Sequence, residues 1–201
     1  MKAIRYKLHF ATLSLAAVVF LLANRLRLPY WISNFDFFHY GLMGALHAAC
    51  IVVSLRDRKV ARPIIALCFI TLATVWSAAT PILGLWGSIV WVPFYDFLRR
   101  HQLGAYAIVL TGSAIGASGY WLLVRQFWLR SLQGTDWLRS VALCMVATTL
   151  SGVALDVMNP SVDILSPTIT VAWWFAFSIS LYWSEMSERA NKSAKMIETV
   201  L

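Results

Sequence analysis

The sequence predicts an all-α fold, a polytopic transmembrane helical bundle of six spans with both termini in the cytoplasm. Three observations carry that prediction. Of 201 residues, 60% are hydrophobic and 13% charged, more apolar surface than one soluble core of this size can hide. Six apolar runs of 17 to 21 residues recur along the chain, close to the roughly 20 residues a helix needs to cross the hydrocarbon core. Finally, Lys and Arg concentrate in alternate connections, as cytoplasmic loops do.

The first run, 8–24, follows the basic start "MKAIRYK". No small-x-small cleavage site precedes Asn24 or Arg25, so an uncleaved first span is expected rather than a signal peptide. The second run, 37–55, reads "FFHYGLMGALHAACIVVSL", with His39 at its start and His47 near its centre. Gly41, Ala45 and Ala49, with Gly44 and Ala48 beside them, form the small-residue face that lets lipid-embedded helices approach closely. The third run, 63–83, begins with Pro63, whose missing N–H costs nothing at a helix start.

Residues 83–98, "LGLWGSIVWVPFYDFL", are the ambiguous stretch. If they do not cross, 13 of the 17 Lys and Arg lie inside and only Arg25, Arg27, Arg99 and Arg100 outside; if they do, the split becomes 9 against 8. The first arrangement obeys the charge rule. Residues near 84–99 are therefore expected to form an interfacial or re-entrant outer segment. Trp86, Trp91, Phe94, Tyr95 and Phe97 suit the interface, Pro93 would bend a helix, and irregular backbone at that depth needs shelter from protein.

The fourth run, 104–124, carries Gly112 and Gly116 in GxxxG spacing, with Ala105 and Gly119 on the same stripe. The second and fourth helices are expected to sit centrally. The fifth run is 140–158, and the sixth, 167–184, again begins with proline. Residues 1–184 read as one domain, and 185–201 as a cytoplasmic helical tail in which Glu185 precedes Arg189, and Glu188 precedes Lys192, by one turn.

The net charge of +8 lies wholly on the cytoplasmic side of this arrangement, because Asp36, Asp96, Asp156 and Asp163 balance the four outer cations. That asymmetry fits anionic lipid and argues against a nucleic-acid partner. Cys50, Cys68 and Cys144 lie inside apolar runs without a CxxC pair, so neither a zinc ribbon nor a redox couple is expected.

His47 is the leading chemical candidate, because an ionisable side chain inside a membrane is a functional hypothesis by default. As interhelical glue it would bond a hydroxyl such as Thr71, Thr74 or Ser77 on the third span. His39 and His47 are eight residues apart, about 12 Å of helix rise, too far to share one ion. Neither a metal nor a cofactor is expected.

"GASG" at 116–119 resembles the GxSG nucleophile motif of rhomboid intramembrane proteases, which would make Ser118 a nucleophile. Such a serine needs a histidine base from the last span, and no histidine follows His101. Asp36-x-x-His39 is similar to a motif of VanZ-like membrane proteins, without the Lys after the Asp or the later Glu-x-x-Gln.

The remaining polar side chains collect at the predicted outer face: Asp36, His39, Asp96, Arg99, Arg100, His101, Asp156 and Asn159. Paired arginines can hold a phosphate, and a histidine beside a carboxylate can move a proton. With no catalytic motif in place, the expected function is a non-catalytic subunit or accessory factor of a complex in the bacterial inner membrane. It would bind a protein partner through its spans or tail. The alternative is a lipid- or small-solute-handling protein, a transporter or an enzyme acting on a headgroup at the outer face.

Overall fold

The computed structural model describes residues 4–25, 36–55, 63–101, 103–129, 132–158 and 167–198. They form seven α-helices: α1 (Tyr6–Arg25), α2 (Asp36–Ser54), α3 (Pro63–Gly87), α4 (Tyr95–Arg100), α5 (Gly104–Phe127), α6 (Gly134–Met158) and α7 (Pro167–Glu198). Among the described residues there is no strand, only one antiparallel bridge between Ile4 and Leu55. Helix starts follow local chemistry. Pro63 and Pro167 open α3 and α7, and Asp136 in the first turn of α6 accepts the backbone N–H of Gln133 at 2.8 Å, half of a capping box.

Among the described residues three helical stretches are long and apolar enough to cross a membrane: α3, residues Tyr106–Phe127 of α5 and Gly134–Leu155 of α6. α1 and α2 contribute shorter apolar stretches, Tyr6–Leu22 and Tyr40–Ser54. α7 is long, but Ser178, Ser180, Ser184 and its tryptophans dilute its apolar character. Large apolar side chains cover the outside of these helices, including Leu15, Ile64, Leu67, Val75, Leu150 and Val157. Exposed apolar area this continuous is the surface of a protein solvated by lipid.

Polar and charged side chains inside such helices must find partners within the fold. Most hydroxyls bond back to their own helix. Thr74 donates to the Ile70 carbonyl at 2.7 Å, Thr80 to Trp76 at 2.9 Å, and Ser118 to Ala114 at 2.8 Å. Ser118 also accepts the indole N–H of Trp137 at 3.0 Å.

Residues 84–99 fall into three pieces. α3 runs on through Gly87, so its last turn takes the first four of them. A 3₁₀ segment, Ser88–Phe94, and the six-residue α4 follow. Together these two span at most about 23 Å, short of the roughly 30 Å hydrocarbon core. The shelter expected for this segment is mostly absent. Ile89, Val92, Phe94 and Phe97 are exposed, and Trp91 is the anchor, its indole N–H donating to Thr111 Oγ1 at 3.0 Å.

The small-residue stripes also pack in a corrected pattern. α3, rather than α2 or α5, is the shared neighbour, lying between the glycine faces of the other two. A Cβ at Gly44 would overlap Ser77 and the Ala73 carbonyl, and one at Gly119 would overlap the Trp76 indole. At Gly116 a Cβ would come within 3.2 Å of Thr80 Cγ2. At Gly41 and Gly112 it would meet only ordinary contacts, nearest 3.5 and 3.8 Å. A further close backbone approach involves Gly84 of α3, which the stripes did not include: its Cβ would lie 2.9 Å from Gly112 Cα. Ala45 is half-buried.

One end of the bundle gathers the start of α1, the end of α2, the start of α3, the end of α5, the start of α6 and the middle of α7. Ile4, Leu55, Phe69, Val124, Trp128, Val141 and Leu181 pack there in one buried cluster. Backbone and side-chain bonds tie it, with Arg5 N–H donating to the Ser54 carbonyl at 2.8 Å and the Tyr6 hydroxyl to the Leu181 carbonyl at 3.0 Å. Glu185, expected to face Arg189, is buried and accepts the Ile4 N–H at 3.4 Å.

Candidate functional site

α1, α2 and α7 meet around a second buried cluster, Leu13, Phe20, Met43, Cys50 and Trp174. Beside it stand three polar side chains that are completely buried: His9 of α1, His47 of α2 and Ser178 of α7. Ser178 Oγ lies 2.8 Å from His9 Nε2 and 3.1 Å from His47 Nε2, so one hydroxyl bridges two imidazoles. The ring centroids are 6.1 Å apart.

The expected partner of His47 is therefore replaced. Thr71 is exposed, Thr74 bonds its own helix, and Ser77 fills the space left by Gly44. Small residues did point His47 inward, but toward α7, because α3 occupies the glycine face formed by Gly41 and Gly44.

Four aromatic rings box His47. Tyr120 and Trp174 stack on it with centroids at 5.1 and 5.8 Å, and Trp173 and Phe177 meet it edge-on at 6.0 and 5.9 Å. The Tyr120 hydroxyl reaches the Gly44 carbonyl at 3.5 Å. Nδ1 of both imidazoles has no hydrogen-bond partner, and the backbone of Cys50 lies beside the His9 ring.

Three of these rings, Tyr120, Trp173 and Trp174, form one wall of a cavity of about 330 Å³ between α2, α3, α5 and α7. Gly44, Gly84, Gly112 and Gly116 keep the helix backbones close to its space, and Tyr120, Trp173 and Trp174 separate it from His47. Among the described residues no charged one lines it. Ser113 does, and its buried hydroxyl has no hydrogen-bond partner.

The outer-face collection is not drawn together by any described contact. Asp96, Arg100 and His101 are exposed, and the His101 ring rests on Phe97 at 4.5 Å. The side chains of Asp36, His39, Arg99 and Asp156, and all of Asn159 and Asp163, lie outside the described residues. His47 is eleven residues along α2 from Asp36, about 16 Å of helix rise, so it belongs to a separate site. Among the described residues no group of three His, Cys, Asp or Glu side chains could hold a metal ion.

Two residues of the site escaped the sequence reading. His9 sits just inside the first apolar run and Ser178 in the aromatic run "WWFAFSISLYW". The available signal was two imidazoles in separate spans, each needing a partner.

No family model matches this chain, and neither a curated protein nor a solved structure is significantly similar to it.

Proposed function

We propose that the chain is a multi-pass protein of the bacterial inner membrane that holds a lipid-like or other small apolar molecule between its helices. The cavity of about 330 Å³ carries this reading. Its size falls in the range of small-molecule sites, its wall is apolar and aromatic, and a single unpartnered hydroxyl, Ser113, offers an incoming molecule one hydrogen bond. A void of this volume gains nothing for packing by itself.

The crossing pattern is six spans with both termini cytoplasmic. Support comes from the 13 to 4 division of basic residues, and from the cluster that gathers the start of α1 and the middle of α7 at one end of the bundle. An even number of crossings requires that.

The second reading, a non-catalytic subunit or accessory factor, has one observation in its favour. A shallow apolar groove between α6 and α7 is lined by Leu143, Val146, Trp183 and Met186.

Extraction in native lipid followed by mass spectrometry separates the two. The ligand reading expects a bound apolar molecule that disappears in Val109→Trp, which fills the cavity, while thermal stability is retained. A stoichiometric protein partner, with the cavity variant indistinguishable from wild type, would overturn the ligand reading in favour of the subunit.

A further inference from the structure

We propose that His9, Ser178 and His47 form a proton relay inside the bundle, holding one proton that passes between the two imidazoles through the serine hydroxyl. A hydroxyl placed between two imidazole nitrogens donates to one and accepts from the other, so one ring must carry its proton on Nε2. The shorter contact, 2.8 Å to His9 Nε2, suits the hydroxyl as donor, and the longer, 3.1 Å to His47 Nε2, suits an N–H donor, so His9 Nε2 accepts from Ser178. His47 therefore donates its Nε2–H to the same oxygen. Its Nδ1 is left as a lone pair, completely buried and without a donor.

That lone pair is the accepting site. A proton taken up at His47 Nδ1 forms an N–H bond there. The Nε2–H bond of His47 then breaks as Ser178 Oγ takes that proton and releases its own to His9 Nε2. The hydroxyl is regenerated, nothing is oxidised or reduced, and one positive charge has moved between rings 6.1 Å apart. His9 lies in the first turn of α1, at the end of the bundle where Ile4 meets Leu55, so the relay leads toward that end.

Trp174 and Tyr120 present ring faces to His47, and ring faces attract a cation. The titratable neighbours are Cys50 on α2 and Tyr120 on α5. Glu185 is seven residues further along α7, about 10 Å of rise, and bonds the Ile4 N–H. With no carboxylate bonded to either ring among the described residues, the proton is not trapped as an ion pair. Repulsion between two cations this close limits the pair to one proton.

The relay is tested in full-length protein in lipid nanodiscs, carrying His39→Gln and His101→Gln so that only the buried rings report, with ¹⁵N-labelled histidine followed by NMR from pH 8 to pH 4. The expected result is uptake of a single proton, with imidazolium character averaged over both rings. Two rings that stay neutral throughout, or that each take up a proton independently, would overturn it. In Ser178→Ala the averaging should cease and the charge remain on one ring, with helix content unchanged. Averaging that persists without the hydroxyl would also overturn the relay, and the titration of the unmutated triad decides the matter if that variant does not fold.

Discussion

Gly41 and Gly44 lie one turn apart on the same face of α2, yet the structure assigns them opposite tolerance. A Cβ at Gly41 would rest 3.5 Å from Ala78 Cβ and Thr74 Cγ2, ordinary contact. A Cβ at Gly44 would sit 2.5 Å from Ser77 Cβ and 2.6 Å from the Ala73 carbonyl oxygen. Restoring 3.4 Å, the near limit of ordinary contact, requires α2 and α3 to separate by about 0.9 Å. Neither atom moves with a rotamer, and overpacking of this kind costs about 1–3 kcal/mol. Both Gly→Ala changes gain similar helix propensity, about 0.5–1 kcal/mol, which cancels when the two are compared. Gly44→Ala should therefore be less stable than Gly41→Ala by about 1–3 kcal/mol, or roughly 5- to 150-fold in the unfolding equilibrium. Reversible unfolding in mixed micelles, with helix content followed by circular dichroism, measures the difference. Equal stability of the two variants, or a greater loss at Gly41, would refute the close approach of α2 to α3 at Ala73.

The remaining predictions test other contacts. Gly119→Ala should destabilise the protein because its Cβ overlaps the Trp76 indole. Trp76→Phe should recover part of the loss, giving a coupling of about 0.5–3 kcal/mol in a double-mutant cycle; strict additivity would mean that the two residues do not touch. In a Cys68→Ala background, which removes the exposed cysteine, His101→Cys should react with a membrane-impermeant maleimide added outside the cell. Labelling only from the cytoplasmic side would reverse the proposed topology.

Elements that depend on local chemistry were legible in the chain. Proline at positions 63 and 167 marked two helix starts because a helix's first N–H has no partner to lose. The apolar runs announced helices because a backbone in lipid must satisfy its own hydrogen bonds. The stretch after residue 87 was legible as something other than a spanning helix, through its aromatics and Pro93, although not the 3₁₀ geometry or its exposure. Partnerships were less legible. GxxxG spacing marked Gly112, which has room to spare, and passed over Gly84, because spacing describes one helix while a close approach depends on the crossing point of two.

By itself the sequence determined that the chain is helical, that most of its surface is apolar, and that His47 turns away from that surface. These follow from composition and from the period of a single helix. Only the tertiary structure decided that His47 meets Ser178 and His9, separated from it by 131 residues in one direction and 38 in the other, and that four glycines border a cavity rather than a sealed seam. Such meetings are set by the rotation and offset of packed helices, and those are fixed by side-chain bulk summed over every contact, which no one segment records.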